Sequence, residues 1–190
     1  MYTISPLCSL LHQNLNPANN NDGSTGLSLW KQDAGCLAWL DTQEHRSVVY
    51  VNFGSLTAVT PEQLAEFAWG LVVSAGVLRH PAVGCFVTHN GWNSTLESMA
   101  AGVPMVCWPW FSDQYTNCKY ACEVWGVGVR LDPEVRREQV SGHVKEAMGS
   151  EEMRKNATKW KEAAEAATAP GGTAFQNLLS MVSALSKQTK

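Results

Sequence analysis

Long apolar runs are missing from this sequence. No stretch approaches the roughly 18 consecutive apolar residues that a membrane-spanning helix needs. Basic clusters are missing as well: the net charge is −3, from 14 Lys and Arg against 17 Asp and Glu. A nucleic acid or an anionic membrane surface is therefore a poor partner. Residues 1–15 have neither a basic start nor a continuous apolar core, so no secretory leader is expected. The six cysteines are Cys8, Cys36, Cys85, Cys107, Cys118 and Cys122. Without a leader they are expected as reduced thiols in a cytoplasmic protein. Cys85 and Cys107 lie in apolar, strand-like runs, the usual place for buried free thiols. Cys118 and Cys122 fall on one face of an expected helix, but no histidine stands at ligand spacing, which argues against zinc there.

What is present is a globular composition. Hydrophobic residues make up 45% and charged residues 16% of 190 residues, enough to bury the core of one domain. The eight tryptophans lie partly in apolar segments and read there as core packing. Residues 12–28 are polar, Asn-rich and aperiodic, a surface loop. Residues 1–29 as a whole read as a linker region, 30–170 as the domain and 171–190 as a last helix. A short helix is expected within 30–40 and a buried strand over 47–53 (Ser-Val-Val-Tyr-Val-Asn-Phe), ending in a tight loop at Gly54-Ser55. Thr60, Pro61 and Gln63 make a helix start with cap, first-turn proline and capping box. That helix is expected to run to about Leu71.

Further strands are expected over 84–88, 105–108 and 127–131, with helices over 93–101 and 113–125 between them. Gly102-Val103-Pro104 and Gly126 end those helices. From Pro133 on the pattern is helical, broken at Pro170-Gly171-Gly172. Alternating strands and helices make an α/β domain with a parallel sheet covered on both faces. In such folds ligands bind beyond the carboxyl ends of the strands. The loops there are Gly54-Ser55, residues 89–94 and residues 108–114, and the polar residues gather in them.

In His89-Asn90-Gly91-Trp92-Asn93-Ser94-Thr95-Leu96-Glu97 a strand ends, a glycine turns and a helix begins. A helix start offers free N–H groups and a positive pole to an anion such as phosphate. His89 and Ser94 add hydrogen bonds, and Glu97, about one turn in, suits two hydroxyls of a ribose. The alternative is that Asn93 or Ser94 only caps the helix and His89 is a satisfied buried histidine. In Trp108-Pro109-Trp110-Phe111-Ser112-Asp113-Gln114 an acid and an amide follow an aromatic loop, a pairing suited to sugar hydroxyls. Asp113 as a plain N-cap is the competing reading.

The run from Val77 through Glu97, with Gly102-Val103-Pro104, Trp108-Pro109 and Asp113-Gln114, closely resembles the signature box of plant family-1 UDP-glycosyltransferases, enzymes of plant secondary metabolism. The likeness extends upstream through Trp39-Leu40-Asp41, and covers nearly the whole chain. The resemblance implies the C-terminal half of a GT-B fold, a Rossmann-like domain that holds the UDP-sugar. It places His89, Ser94 and the backbone at Gly91, Trp92 and Asn93 on the diphosphate, with Ser55 nearby. Glu97 is placed on the ribose, and Asp113 and Gln114 on the sugar. The reaction implied is inverting transfer of a hexose, glucose by the form of Gln114, to a hydroxyl of a small-molecule acceptor. No metal and no cofactor beyond the UDP-sugar are implied.

Three departures stand against that family pattern. The start at Met1 resembles the linker that enters the C-terminal domain, so the acceptor domain and its catalytic histidine are expected to be absent. His12 lacks that histidine's context, and no catalytic residue is assigned. Residues 71–76 (Leu-Val-Val-Ser-Ala-Gly) replace the Trp and Gln that clamp the uracil in the family. The helix near Leu71 meets the signature box directly, so an internal deletion near 71–77, with loss of some strands, is expected. Losing a stacking contact of roughly 1–3 kcal/mol and an amide contact of about 0.5–1.5 would weaken donor binding on the order of ten- to a thousandfold. Weak or absent activity follows, or a non-catalytic chain that binds a full-length relative. The acceptor is not legible.

Overall fold

The computed structural model describes residues 34–54, 60, 63 and 77–188. Its centre is a parallel four-stranded sheet in the order β1-β2-β3-β4, formed by Val48–Asn52, Val83–Thr88, Met105–Cys107 and Gly128–Arg130. The strands are short, and β1 and β2 are largely apolar and rich in β-branched residues, the composition of strands covered on both faces. β2 is buried along its whole length. The register slips between Val48 and Val49, opposite Gly84. A Cβ at Gly84 would come within 2.5 Å of the Arg46 carbonyl oxygen, so only glycine fits this close approach.

Alternation along the strands feeds two cores. Tyr50, Phe86, Met105 and Cys107 point to one face, with the Tyr50 and Phe86 rings stacked at 5.0 Å. Val51, Cys85, Val87 and Val106 point to the other, joined by Trp108 and Leu131. Every strand adds to the same side of its predecessor, and right-handed crossovers then put the connecting helices on one face. That face carries α1 (Ala34–Leu40), α2 (Trp92–Ala101) and α3 (Gln114–Lys119), which runs on into a π turn at Tyr120–Val124. α4 (Arg137–Gly149) returns over β2, β3 and β4 on the opposite face. α5 (Glu151–Thr168) packs on α2, and α6 (Thr173–Gln188) packs on α5.

Local signals act as the sequence suggested. Thr60 and Gln63 exchange both bonds of a capping box, at 3.0 and 3.2 Å. The remainder of the helix expected to about Leu71 lies outside the described residues. α2 ends on Gly102 in the left-handed conformation (φ 73°), with Gly102 and Val103 N–H bonding back to Met99 and Ser98. Two expectations need correction. α2 starts at Trp92 rather than Asn93, because Gly91 with extended backbone is its N-cap. Of the tryptophans, Trp108 is core, whereas Trp39 and Trp92 are 47% and 46% exposed. No described helix is long and apolar enough to cross a membrane.

Candidate functional site

At the carboxyl end of β1, Asn52 accepts the Gly54 N–H at 2.7 Å and closes a tight turn, with Gly54 at φ 73°. β2 ends next to it and passes through His89, Asn90 and Gly91 into α2. Asn90 takes a left-handed conformation (φ 60°), for which asparagine is the best suited residue after glycine. The imidazole of His89 rests against both glycines. A Cβ would lie 2.7 Å from its Nε2 at Gly54 and 2.5 Å from it at Gly91. Side chains at either position would push the ring out, so the two glycines create its seat.

Burial holds the His89 imidazole below its ordinary pKa, while the Asn52 backbone and the Asp113 carboxylate pull the other way. The Asn52 backbone is the hydrogen-bonding neighbour of the ring, although the buried Nδ1 makes no well-formed bond. Asn90 Oδ1, Thr95 Oγ1 and Trp110 Nε1 are buried without partners in the same region. Asn90 and Thr95 have no exposed surface, so their atoms belong to the interior beneath the loops.

No side chain caps α2. Asn93 and Ser94 sit inside its first turn, so neither serves as the N-cap. The first helical bond runs from Thr95 N–H to the Gly91 carbonyl at 3.0 Å, leaving the N–H groups before it without intrahelical partners. Ser94 is half-buried beside them, and Glu97 lies one turn further on. Glu97 is exposed as a residue, yet desolvation of its carboxyl raises the pKa, opposed by Arg79.

The third loop is tied to the second. Asn117 Nδ2 donates to the Asn90 carbonyl and to Asp113 Oδ2, both at 2.9 Å. Asp113 occupies the N-cap position of α3, but its side chain makes no cap bond and instead accepts from Asn117. Gln114 needs a correction too. The side chain was expected to donate and accept, but its Oε1 already accepts the N–H groups of Trp110 at 2.8 Å and Phe111 at 3.2 Å. Only its amide N–H groups remain.

The arrangement defines a class: an α/β domain with an open helix N-terminus, a histidine and a carboxylate–amide pair at the carboxyl edge of a parallel sheet. Residues 72–163 match the model of the family described as "UDP-glucoronosyl and UDP-glucosyl transferase". The chain is 39% identical over 229 residues to 7-deoxyloganetin glucosyltransferase of Catharanthus roseus, spanning 97% of this chain and 46% of that protein. It is 41% identical over 226 residues to (R)-mandelonitrile beta-glucosyltransferase of Prunus dulcis, spanning 96% and 47%. The fold matches Os79 from O. sativa, solved in complex with UDP, at a TM-score of 0.82 and 30% identity, over 96% of this chain and 50% of that one. The chain belongs to the plant UDP-glycosyltransferases, a family of GT-B enzymes, and spans about half the length of the curated relatives it matches.

The structure thus brings His89, Gly91, Trp92, Asn93, Ser94, Asp113 and Gln114 to one edge, with Glu97 just behind. Ser55 and the segment 71–76 lie outside the described residues. Two participants were missed from the sequence. Asn117 joins the loops, and its signal was a buried amide four residues after Asp113 on one helix. Gly54 makes room for His89, which only the three-dimensional fold reveals.

Proposed function

We propose that this chain is the donor-binding part of a UDP-glycosyltransferase that transfers a hexose, with glucose the sugar expected, to a hydroxyl of a small molecule. The observation that carries the reading is the uncapped N-terminus of α2 beside the half-buried imidazole of His89. A diphosphate placed there meets N–H donors, the positive helix pole and the Ser94 hydroxyl, which supports binding without a metal. Glu97 accepts from the ribose. Asp113 and the free amide of Gln114 hold the sugar. In the inverting reaction the acceptor hydroxyl attacks the anomeric carbon and UDP leaves. None of the residues assigned here takes the acceptor's proton, so this chain contributes donor binding in a cytoplasmic enzyme and is weakly active or inactive alone.

The aligned span of 229 residues exceeds the 190 of the chain, which supports a shortening inside the domain, near 71–77, where the uracil clamp would stand. Isothermal titration with UDP-glucose is expected to show binding weaker than micromolar, weakened about a further 10- to 150-fold by His89→Ala. A clean micromolar affinity would contradict the lost clamp, and no binding at millimolar ligand would remove the donor site altogether. A second reading is a non-catalytic chain that associates with a full-length relative. It is favoured by β1, which among the described residues ends the sheet with no strand on its outer edge. Co-purification with a full-length transferase would support it, and a monomer indifferent to one would not.

A further inference from the structure

Cys107 ends β3, Cys118 lies in α3 and Cys122 lies in the π turn that follows. Their three sulfur atoms all stand within 4.8 Å of one another. Cys107 and Cys118 are buried, and Cys122 is half-buried. No histidine or carboxylate of the described residues joins the group, so the ligand set is all sulfur.

The spacing fits a metal ion. A metal–sulfur bond of about 2.3 Å sets sulfurs roughly 3.8–4.0 Å apart in tetrahedral or trigonal coordination. Even from a triangle with 4.8 Å edges, each sulfur moves inward by only about half an ångström to reach that bond length. Thiolate ligands select soft ions such as zinc over magnesium or calcium. A divalent ion bound by three thiolates displaces the thiol protons to solvent.

We propose that Cys107, Cys118 and Cys122 form a thiophilic divalent-metal site, filled by zinc, which fastens the helix behind Asp113 and Gln114 to the end of β3. A water completes the coordination from the half-open side at Cys122. The proposal is independent of the donor reading.

The reduced 190-residue chain, stripped of metal by a chelator, is titrated with Co2+. A sulfur-to-cobalt charge-transfer band that saturates at one equivalent and is bleached by Zn2+ is the expected result. Cys122→Ser and Cys122→Ala replace the half-buried member, and circular dichroism reports their fold. Each should weaken zinc by at least about a hundredfold, beyond the range for supporting contacts around a metal. Cys36→Ser and Cys85→Ser should keep the band. No band in the parent, or a band that survives both Cys122 variants, overturns the proposal.

Discussion

Gly91→Ala isolates the seat of His89. The backbone at Gly91 has φ −56° and ψ 146°, which alanine adopts without strain, so the effect of the substitution falls on its neighbour. The added Cβ would lie 2.5 Å from Nε2. To reach an ordinary contact of roughly 3.5 Å, the imidazole must retreat by about 1 Å, enough to break a hydrogen bond to a phosphate oxygen. Hydrogen bonds to charged groups are worth about 1.5–3 kcal/mol, so UDP-glucose should bind about 10- to 150-fold more weakly. The assay is titration calorimetry on the parent, Gly91→Ala, His89→Ala and the double variant. Because the alanine acts through the ring, it should add little once His89 is gone. Parental affinity in Gly91→Ala would refute the steric argument. Fully additive losses would show that the alanine acts through the helix start instead, since the first-turn N–H groups lie next to it.

Other outcomes follow from the same geometry. Asp113→Ala should weaken UDP-glucose about tenfold or more while leaving UDP nearly unchanged, measured by competition between the two ligands. Asn117→Ala leaves the buried Asn90 carbonyl without its donor and should destabilise the fold by about 1–3 kcal/mol in urea denaturation, with Asp113 released at the same time. His89 has its folded pKa below the ordinary histidine value, so its contribution to stability is present above about pH 6.5 and is lost as pH falls through the folded value. A bound diphosphate stabilises the imidazolium, so UDP-glucose affinity should rise as pH falls from about 7 toward 5.5, and this rise should vanish in His89→Gln. UDP-glucose is the proper ligand there, because its diphosphate diester does not titrate in that window.

The strands were legible because each is a short apolar run between turn residues. Val83–Thr88 and Met105–Cys107 lie within one residue of their expected bounds. The polar loops were legible because parallel sheets gather ligands at one edge. What sequence spacing did not carry was contact between distant segments. Cys118 and Cys122 share a helix face, but nothing in their spacing shows that Cys107 meets them from a strand. The π turn at Tyr120–Val124 is equally silent, since an i→i−5 bond has no residue signature. Gln114 shows a different limit: an amide beside an acid reads as free to donate and accept, but its oxygen holds the Trp110 and Phe111 backbone and only the N–H groups are left. His80, at the head of the signature run, proved to be structural. Its Nδ1 accepts the Ala82 N–H, and its Nε2 pairs with Asp41 at 3.1 Å.

The glycine cap of α2 bears on how such a site decays over generations. Its principal anion donors belong to the main chain, so an alanine scan through Trp92, Asn93 and Ser94 would leave them in place and under-report them. For the same reason, random substitution erodes them slowly. A lineage released from selection can shed its base-recognising side chains, even whole segments, and still present an intact phosphate cradle. In this chain retained phosphate affinity would therefore record ancestry, and catalytic competence has to be measured by turnover.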